Sequence, residues 1–440
     1  MSNRNLAKTW SAVEIEDCLL PYPNGKKIRQ GWSPQCEGHP AHAHDEWAVL
    51  RTSAIQDGKF LDIENKKLPE SLEPRTQLEV KSGDILITCA GPRSRCGVAC
   101  LVRTTRPRLL ISGKMYQLRA NPKVIDRQFL ELFLRESSTQ KKIDEMKTGI
   151  SDSGLNLTHD RFRTLSIPLP PLDEQKHIVA KIEELFSELD AGEENLRKAR
   201  AQLGVYRQSL LKQAFEGKLT EKWRAVHTDM LNQEPSPWQQ VKLGSLIAPP
   251  TYGTSKKCSY ESSGRGVLRI PNVVNGTIDS SDLKFSEFTD EECKLYELHE
   301  DDILIIRSNG SVSIVGRCAR VASIHKNFIY AGYLIRLRCI KNLLNSKFLC
   351  HQLSSLKLRV QIESSAKSTS GVNNINSKEI QQLVVALPSV LEQQEIVRIL
   401  EEQFTSIEQN EREIDQALKR SEALRQSILK KAFSGGLVDL

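Results

Sequence analysis

An internal duplication constrains this chain more than any other feature of its sequence. At an offset of 218 residues, Leu165 to Leu219 aligns without a gap on Leu383 to Leu437, and 21 of those 55 positions are identical, far beyond chance. Leu169-Pro170 returns as Leu387-Pro388, Glu174-Gln175 as Glu392-Gln393, and Ile178-Val179 as Ile396-Val397. Arg207-Gln208-Ser209 returns as Arg425-Gln426-Ser427, and Ala214-Phe215 as Ala432-Phe433. The same offset pairs more diverged stretches upstream: Val49-Leu50-Arg51 with Val267-Leu268-Arg269, Gly58 with Gly276, and Asp84-Ile85-Leu86-Ile87 with Asp302-Ile303-Leu304-Ile305. Each copy opens alike, with Trp10, Val13 and Ile15 or with Trp238, Val241 and Leu243. The plan is therefore a variable block and a conserved segment, twice over: 1–168, 169–225, 238–386 and 387–440, with 226–237, which holds Pro235 and Pro237, as a linker.

The conserved segments read as long helices with a coiled-coil seam. Ile178, Ile182, Leu185, Leu189, Gly192, Leu196, Ala199, Leu203, Tyr206 and Leu210 recur at alternating spacings of four and three. The second copy keeps the phase with Ile396, Leu400, Gln403, Ile407, Asn410, Ile414, Ala417, Ser421, Leu424 and Ile428. Its polar seam positions weaken packing but can fix register. About 33 residues at 1.5 Å each make about 50 Å, more than a compact domain of this size buries, which argues against two helices buried separately. Pro168, Pro170 and Pro171 hold the chain out of helix before Leu172, with Asp173 the expected N-cap, and Pro388 acts likewise in the second copy.

Each variable block is predicted to be an α/β (α+β) globule of about 150 residues with long loops. Ile85-Leu86-Ile87 and Ile303-Leu304-Ile305 read as buried strands between Gly-containing turns, and Phe129 to Leu134 and Phe348 to Leu353 as short helices. A hydrophobic share of 39% supports such cores and excludes disorder. The net charge of +7 is concentrated in the blocks: residues 1–168 hold 26 basic and 20 acidic side chains, and 226–386 hold 19 and 15. Residues 169–225 balance at 10 each and 387–440 carry 7 against 10, so the pattern suggests two anion-binding modules. No apolar run approaches the roughly 20 residues of a membrane span, and Met1 to Asn5 lack a signal-peptide core, so a cytoplasmic protein is expected. The ten cysteines include Cys96 and Cys100 but no Cys-x-x-Cys, as expected of reduced thiols.

Motifs for chemistry are missing. No stretch matches the phosphate-binding Gly-x-x-x-x-Gly-Lys-Ser/Thr loop. Ala248-Pro249-Pro250-Thr251 lacks both the polar residue and the ring with which an amino-methyltransferase holds its target base. Glu64-Asn65-Lys66, downstream of Asp45 and Asp57, fits a nuclease template only loosely, and His39, His42, His44 and Asp45 read as a solvated loop in preference to a metal site. The chain reads as a binder, with no catalytic residue and no metal.

Ile167-Pro168-Leu169-Pro170-Pro171-Leu172-Asp173-Glu174-Gln175, its second copy, and the plan of all 440 residues resemble the specificity subunits of type I restriction-modification enzymes. Gly31-Trp32-Ser33-Pro34-Gln35-Cys36, Trp47 to Thr52, Glu64-Asn65-Lys66, Tyr252-Gly253-Thr254-Ser255 and Leu268 to Asn272 are similar to target-recognition domains of that family. The resemblance implies two recognition domains, each binding one half of an interrupted, asymmetric double-stranded DNA target, with the two helices paired antiparallel as the spacer. It implies two modification subunits as partners, directing adenine methylation, and restriction subunits. S-adenosylmethionine, ATP and magnesium are then expected on those partners and no cofactor on this chain. One departure, Ala386 and Ser389 in place of Pro168 and Pro171, is expected to loosen the second junction. Leu211 and Phe215 are expected on an outer helix face that modification subunits would cover.

Base and phosphate contacts call for Arg, Lys, Asn and Gln in loops. The candidates are Lys26, Lys27, Arg29, Gln35, Arg93 and Arg95 in the first block, and Thr254, Ser255, Lys256, Lys257, Arg265, Arg307 and Asn309 in the second. The competing reading is a coiled-coil adaptor whose globular blocks bind protein, which predicts little salt-sensitive affinity for DNA.

Overall fold

The computed structural model describes residues 10–227, 238–274, 276–369 and 371–437. They divide into two compact units, one drawn from residues 1–196 and 416–440 and the other from 197–415. Two long helices, Leu172–Phe215 of 44 residues and Val390–Ala432 of 43, each contribute to both.

In the first unit, strand Ser11–Glu14 pairs antiparallel with Ser166–Leu169, closing the block just before the long helix. A four-stranded sheet follows the order Ile28–Gln30, Met115–Leu118, Ile85–Thr88, Ala99–Leu101. One three-stranded sheet orders Leu109–Leu110, Ala48–Leu50 and Asn65–Lys67, and another Lys147–Thr148, Leu155–Leu157 and Ala90–Gly91. Ile85–Thr88 is buried along its whole length because it is packed on both faces. Alternation sends Ile85 and Ile87 into the core shared with helix Arg127–Arg135, and Leu86 into the core built on Ala48, Val49 and Leu50.

The second unit repeats this topology. Gln239–Lys242 pairs with Val384–Leu387, and the four-stranded sheet runs Thr251–Tyr252, Leu334–Leu337, Ile303–Ile306, Cys318–Arg320. Its three-stranded sheets are Lys284–Ser286, Arg265–Leu268, Ile329–Tyr330 and Ser308–Asn309, Val372–Asn374, Lys367–Thr369. Ile303 and Ile305 face one core, Leu304 and Ile306 the other. The expected short helices are present as Arg127–Arg135 and Ser346–Leu353.

Within each unit the two long helices run antiparallel. In the first, Arg425 reaches Asp190 at 2.6 Å and Glu193 at 3.1 Å, and Ser421 donates to Glu193. Further along, Ile428, Leu429, Ala432 and Phe433 share a core with Ile178, Val179 and Ile182. In the second, Arg200 pairs with Asp415, Tyr206 with Gln403, and Arg207 with Glu408 and Glu411. Ile396, Leu400, Ile407 and Ile414 are buried on this seam, while Leu185, Leu189, Leu196 and Leu203 are half-buried. The repeated Ala-Phe pair is an anchor: Phe433 packs edge-on against Phe129 and Phe133, and Phe215 against Phe348. Burying each ring contributes about 1.5 to 3 kcal/mol.

Four expectations need correction. Leu211 and Phe215 are 3% and 8% exposed, because they fill the core beside Phe348; the apolar residues left open nearby are Val205 and Tyr206. Leu424 is 50% exposed, since the adjacent contact is made by the polar trio Glu193, Ser421 and Arg425. Asp173 lies inside the first helical turn, as the amide of Gln175 already donates to the Pro171 carbonyl. Ser389 does not loosen the second junction: its hydroxyl accepts from the Glu392 amide and its carbonyl from Gln393, an N-cap that proline could not supply. Of the linker, Val226 closes a short helix, Glu221–Val226, and residues 228–237 lie outside the described residues. Among the described residues no helix is long and apolar enough to cross a membrane.

Candidate nucleic-acid interface

Each variable block is held on a base set by the repeated Glu-Gln pair. The buried Gln175 side chain accepts from the Asp126 amide at 2.7 Å and donates to the carbonyls of Val124 and Pro170. Asp126 in turn caps helix Arg127–Arg135. Gln393 does the same with the Asn345 amide, Leu343 and Pro388, and Asn345 caps Ser346–Leu353. The glutamate holds the opening tryptophan: Trp10 donates to Glu174 at 2.7 Å and Trp238 to Glu392 at 3.2 Å. Glu392 also accepts from Thr220 and from Arg224. The motif therefore locks the first strand, the long helix and the capped helix into one base for each variable block.

At one end of each four-stranded sheet three loops converge. The chain leaves the edge strand through a glycine, Gly31 or Gly253, whose amide donates to Met115 or Leu334 at 3.2 Å in both units. A Cβ on Gly31 would collide with the carbonyls of Ile111 and Ser112, and one on Gly253 with those of Tyr330 and Ala331. Gly31→Ala and Gly253→Ala are therefore each expected to destabilise their unit by about 1 to 3 kcal/mol through forced backbone shifts. Thermal unfolding checks this; a neutral effect at both sites would show that the loops are not held this closely.

The structure separates the first-block candidates. Lys26 is exposed in a turn, Lys27 donates to the Glu16 carbonyl, and the Arg29 guanidinium lies 3.6 Å over the Tyr22 ring while bonding the Gln77 carbonyl. Burial pushes the Tyr22 hydroxyl pKa upward, so it stays neutral beneath that cation. Lys26 and Lys27 lie toward the end of the sheet where Arg119 pairs with Asp84. Gln35, exposed, and Arg93 and Arg95 lie at the other end. Arg93 pairs with Asp144 and Asp152, which hold its guanidinium pKa high, and Arg95 donates to the carbonyls of Thr52 and Ile55. Both arginines tie loops together.

In the second block the candidates cluster more tightly. Thr254 is 5% exposed and its hydroxyl accepts from the Lys256 amide, so it shapes the loop from within. Ser255 and Lys257 are exposed, and Lys256 pairs with Glu292 at 2.8 Å. Arg265 reaches the Asn327 carbonyl on the other three-stranded sheet, away from this cluster. The Arg307 guanidinium lies 4.9 Å over Tyr252 and bonds the Gly332 carbonyl, and Asn309 accepts from the Ser311 amide. The candidate contacts omit Gln30, Lys114 and Tyr333, and Tyr252 enters the sequence reading only within a family motif; all four surround the same loops and are exposed.

The residues weighed for other chemistry are engaged within the fold. Asn65 is buried, bridging the Ala41 amide and the Asp62 carbonyl, and Glu64 accepts from Ser53. Among the described residues no group of His, Cys, Asp or Glu is arranged to hold a metal ion. The ten cysteines are all unpaired; burial pushes Cys18 up to about 11 and Cys89 and Cys100 up to about 12, so these thiols stay protonated and unreactive.

The chain belongs to the family of type I restriction-modification DNA specificity proteins, whose domain model matches residues 50–198 and 235–420. It is a DNA-specificity subunit, a recognition component and not a catalytic one. It is 32% identical over 397 residues to the EcoKI specificity subunit of Escherichia coli strain K12, covering 89% of this chain and 83% of that one. It is 30% identical over 395 residues to the StySPI specificity subunit of Salmonella potsdam, with the same coverage. A chain from a structure on complex assembly and conformational transition of the type I system shares the fold, with a TM-score of 0.73 at 21% identity over 98% of this chain and all of that one. The HsdS subunit of Thermoanaerobacter tengcongensis gives 0.53 at 20% identity over 98% of each chain.

Proposed function

We propose that each unit reads one half of an interrupted, asymmetric duplex target, with 1–168 and 238–386 as the recognition domains and the paired helices as spacer. The chain then directs adenine methylation by two modification subunits and cleavage by restriction subunits in the cytoplasm. S-adenosylmethionine, ATP and magnesium belong to those partners. The observation that carries this reading is one recognition topology built twice, around loops whose exposed side chains differ between the copies. Mapping methylated adenines in host DNA with and without the gene tests it: a two-part motif should vanish with the gene, and an unchanged methylation pattern would refute the reading.

DNA binding by the assembled methyltransferase should weaken steeply with salt, because Lys and Arg release counterions from phosphates. With 6 to 10 phosphate contacts the loss between about 50 and 200 mM salt is about 1,000- to 100,000-fold. Titrations by fluorescence anisotropy measure it, and a flat dependence would favour the adaptor reading.

A further inference from the structure

The duplication supplies an internal comparison, because two copies of one scaffold that read different half-sites must differ where they read. The loop cluster at the sheet end keeps its backbone in both. The Cys89 amide donates to Lys114 at 2.8 Å, and the Arg307 amide to Tyr333 at 2.9 Å. Leu157 donates to Cys89 at 2.8 Å, and Ile375 to Arg307 at 2.9 Å. Gly113 donates to Trp32 at 2.9 Å, and Gly332 to Thr254 at 2.7 Å. These bonds equate Gln30 with Tyr252, Cys89 with Arg307, and Lys114 with Tyr333.

On that constant frame the chemistry is exchanged. In the first unit the amide of Gln30 lies over the small, buried Cys89 and donates to the Gly113 carbonyl at 2.7 Å, with exposed Lys114 beside it. In the second, Tyr252 and Tyr333 are 37% and 60% exposed, and Arg307 stacks on Tyr252. Gln suits the adenine edge, Lys and Arg the guanine edge, and aromatic faces the thymine methyl.

We infer that Gln30 and Lys114 in the first unit, and Tyr252, Arg307 and Tyr333 in the second, are specificity-determining residues, and that their exchange on a common backbone makes the two half-sites differ. This rests on the DNA-reading function proposed above. The test uses the complete methyltransferase, assembled with its modification subunits, on a duplex library randomised around the target, with methylation read by sequencing. Lys114→Tyr should change preference in one half-site only, and Tyr333→Lys or Arg307→Ala in the other only, by about 5- to 150-fold at the affected bases. Tyr333→Ser, at a side chain 60% exposed, should retain folding and keeps the test decisive should a larger change unfold the protein: loss of the aromatic face is expected to alter preference in that same half. Lys357→Ala, on the exposed face of helix Leu356–Ser365, should change nothing. Variants with wild-type melting and unaltered preference at every position would overturn the inference. A wild-type complex without any sequence preference would instead overturn the function on which it rests.

Discussion

Replacing Glu392 with alanine is expected to destabilise the unit drawn from residues 197–415 by about 3 kcal/mol, the largest effect of any single side chain in the junctions. Glu392 is 3% exposed and takes four hydrogen bonds: from Trp238, from Thr220, and two from Arg224 at 3.0 and 2.6 Å. Removing it leaves three donors facing a core that water enters poorly. The Arg224 side chain is 21% exposed and can recover some hydration, which holds the loss to the lower end of what breaking a buried ion pair costs. The equivalent Glu174 is half-buried and accepts from Trp10, without counterparts of Thr220 and Arg224 among the described residues, so Glu174→Ala should cost about 1 kcal/mol. Hydrogen exchange on the assembled methyltransferase should therefore show loss of protection around Gln239–Lys242 and Val384–Leu387 in the first variant and a much smaller change around Ser11–Glu14 in the second. Equal effects would mean that Arg224 and Thr220 add nothing to the clamp.

The parts of the fold visible in the sequence are those with strong local periodicity or near-identity. The two long helices announce themselves through the seam, and the Asp-Ile-Leu-Ile repeats mark the central strands of both sheets because those strands are buried on both faces. The three-stranded sheets were not legible: strands of two or three residues, such as Ala90–Gly91 and Ser308–Asn309, carry too few side chains for a period of two to show. The burial of Leu211 and Phe215 is not legible, because a seam read from one helix says nothing of a second core lying against its far side. The positions proposed to read the target are hidden by register. Gly31 corresponds to Gly253, a separation of 222, while Met115 corresponds to Leu334, a separation of 219, so a comparison at 218 sets Gln30 against the wrong residue. Basic candidates such as Arg93 and Arg95 illustrate a further reason: long cations beside turns commonly bind backbone carbonyls and nearby carboxylates of their own fold, which composition cannot distinguish from phosphate contacts.

Inserting two residues after Leu196 is expected to abolish assembly, whereas four inserted into each long helix should leave an active enzyme with a wider target. The first long helix gives residues 172–196 to one unit and 197–215 to the other, and the second gives 390–415 and 416–432 in the opposite order. On either side of the boundary its pairing is fixed, by Glu193 with Ser421 and Arg425 in one unit and by Arg200 with Asp415 in the other. Two extra residues turn everything beyond them by about 200°, so a helix that satisfies one seam presents its charged face to the other. Four residues turn it by about 400°, within about 40° of the original face, and add about 6 Å. Placed after both Leu196 and Asp415, they lengthen the two helices together and leave each unit's own contacts intact. If these helices space the two readers, the unread gap should grow by one or two base pairs at about 3.4 Å each, with both half-sites unchanged. Mapping methylated sites decides it: an unchanged gap in the four-residue variant, or normal methylation in the two-residue one, would show that spacing is set elsewhere than in the helices.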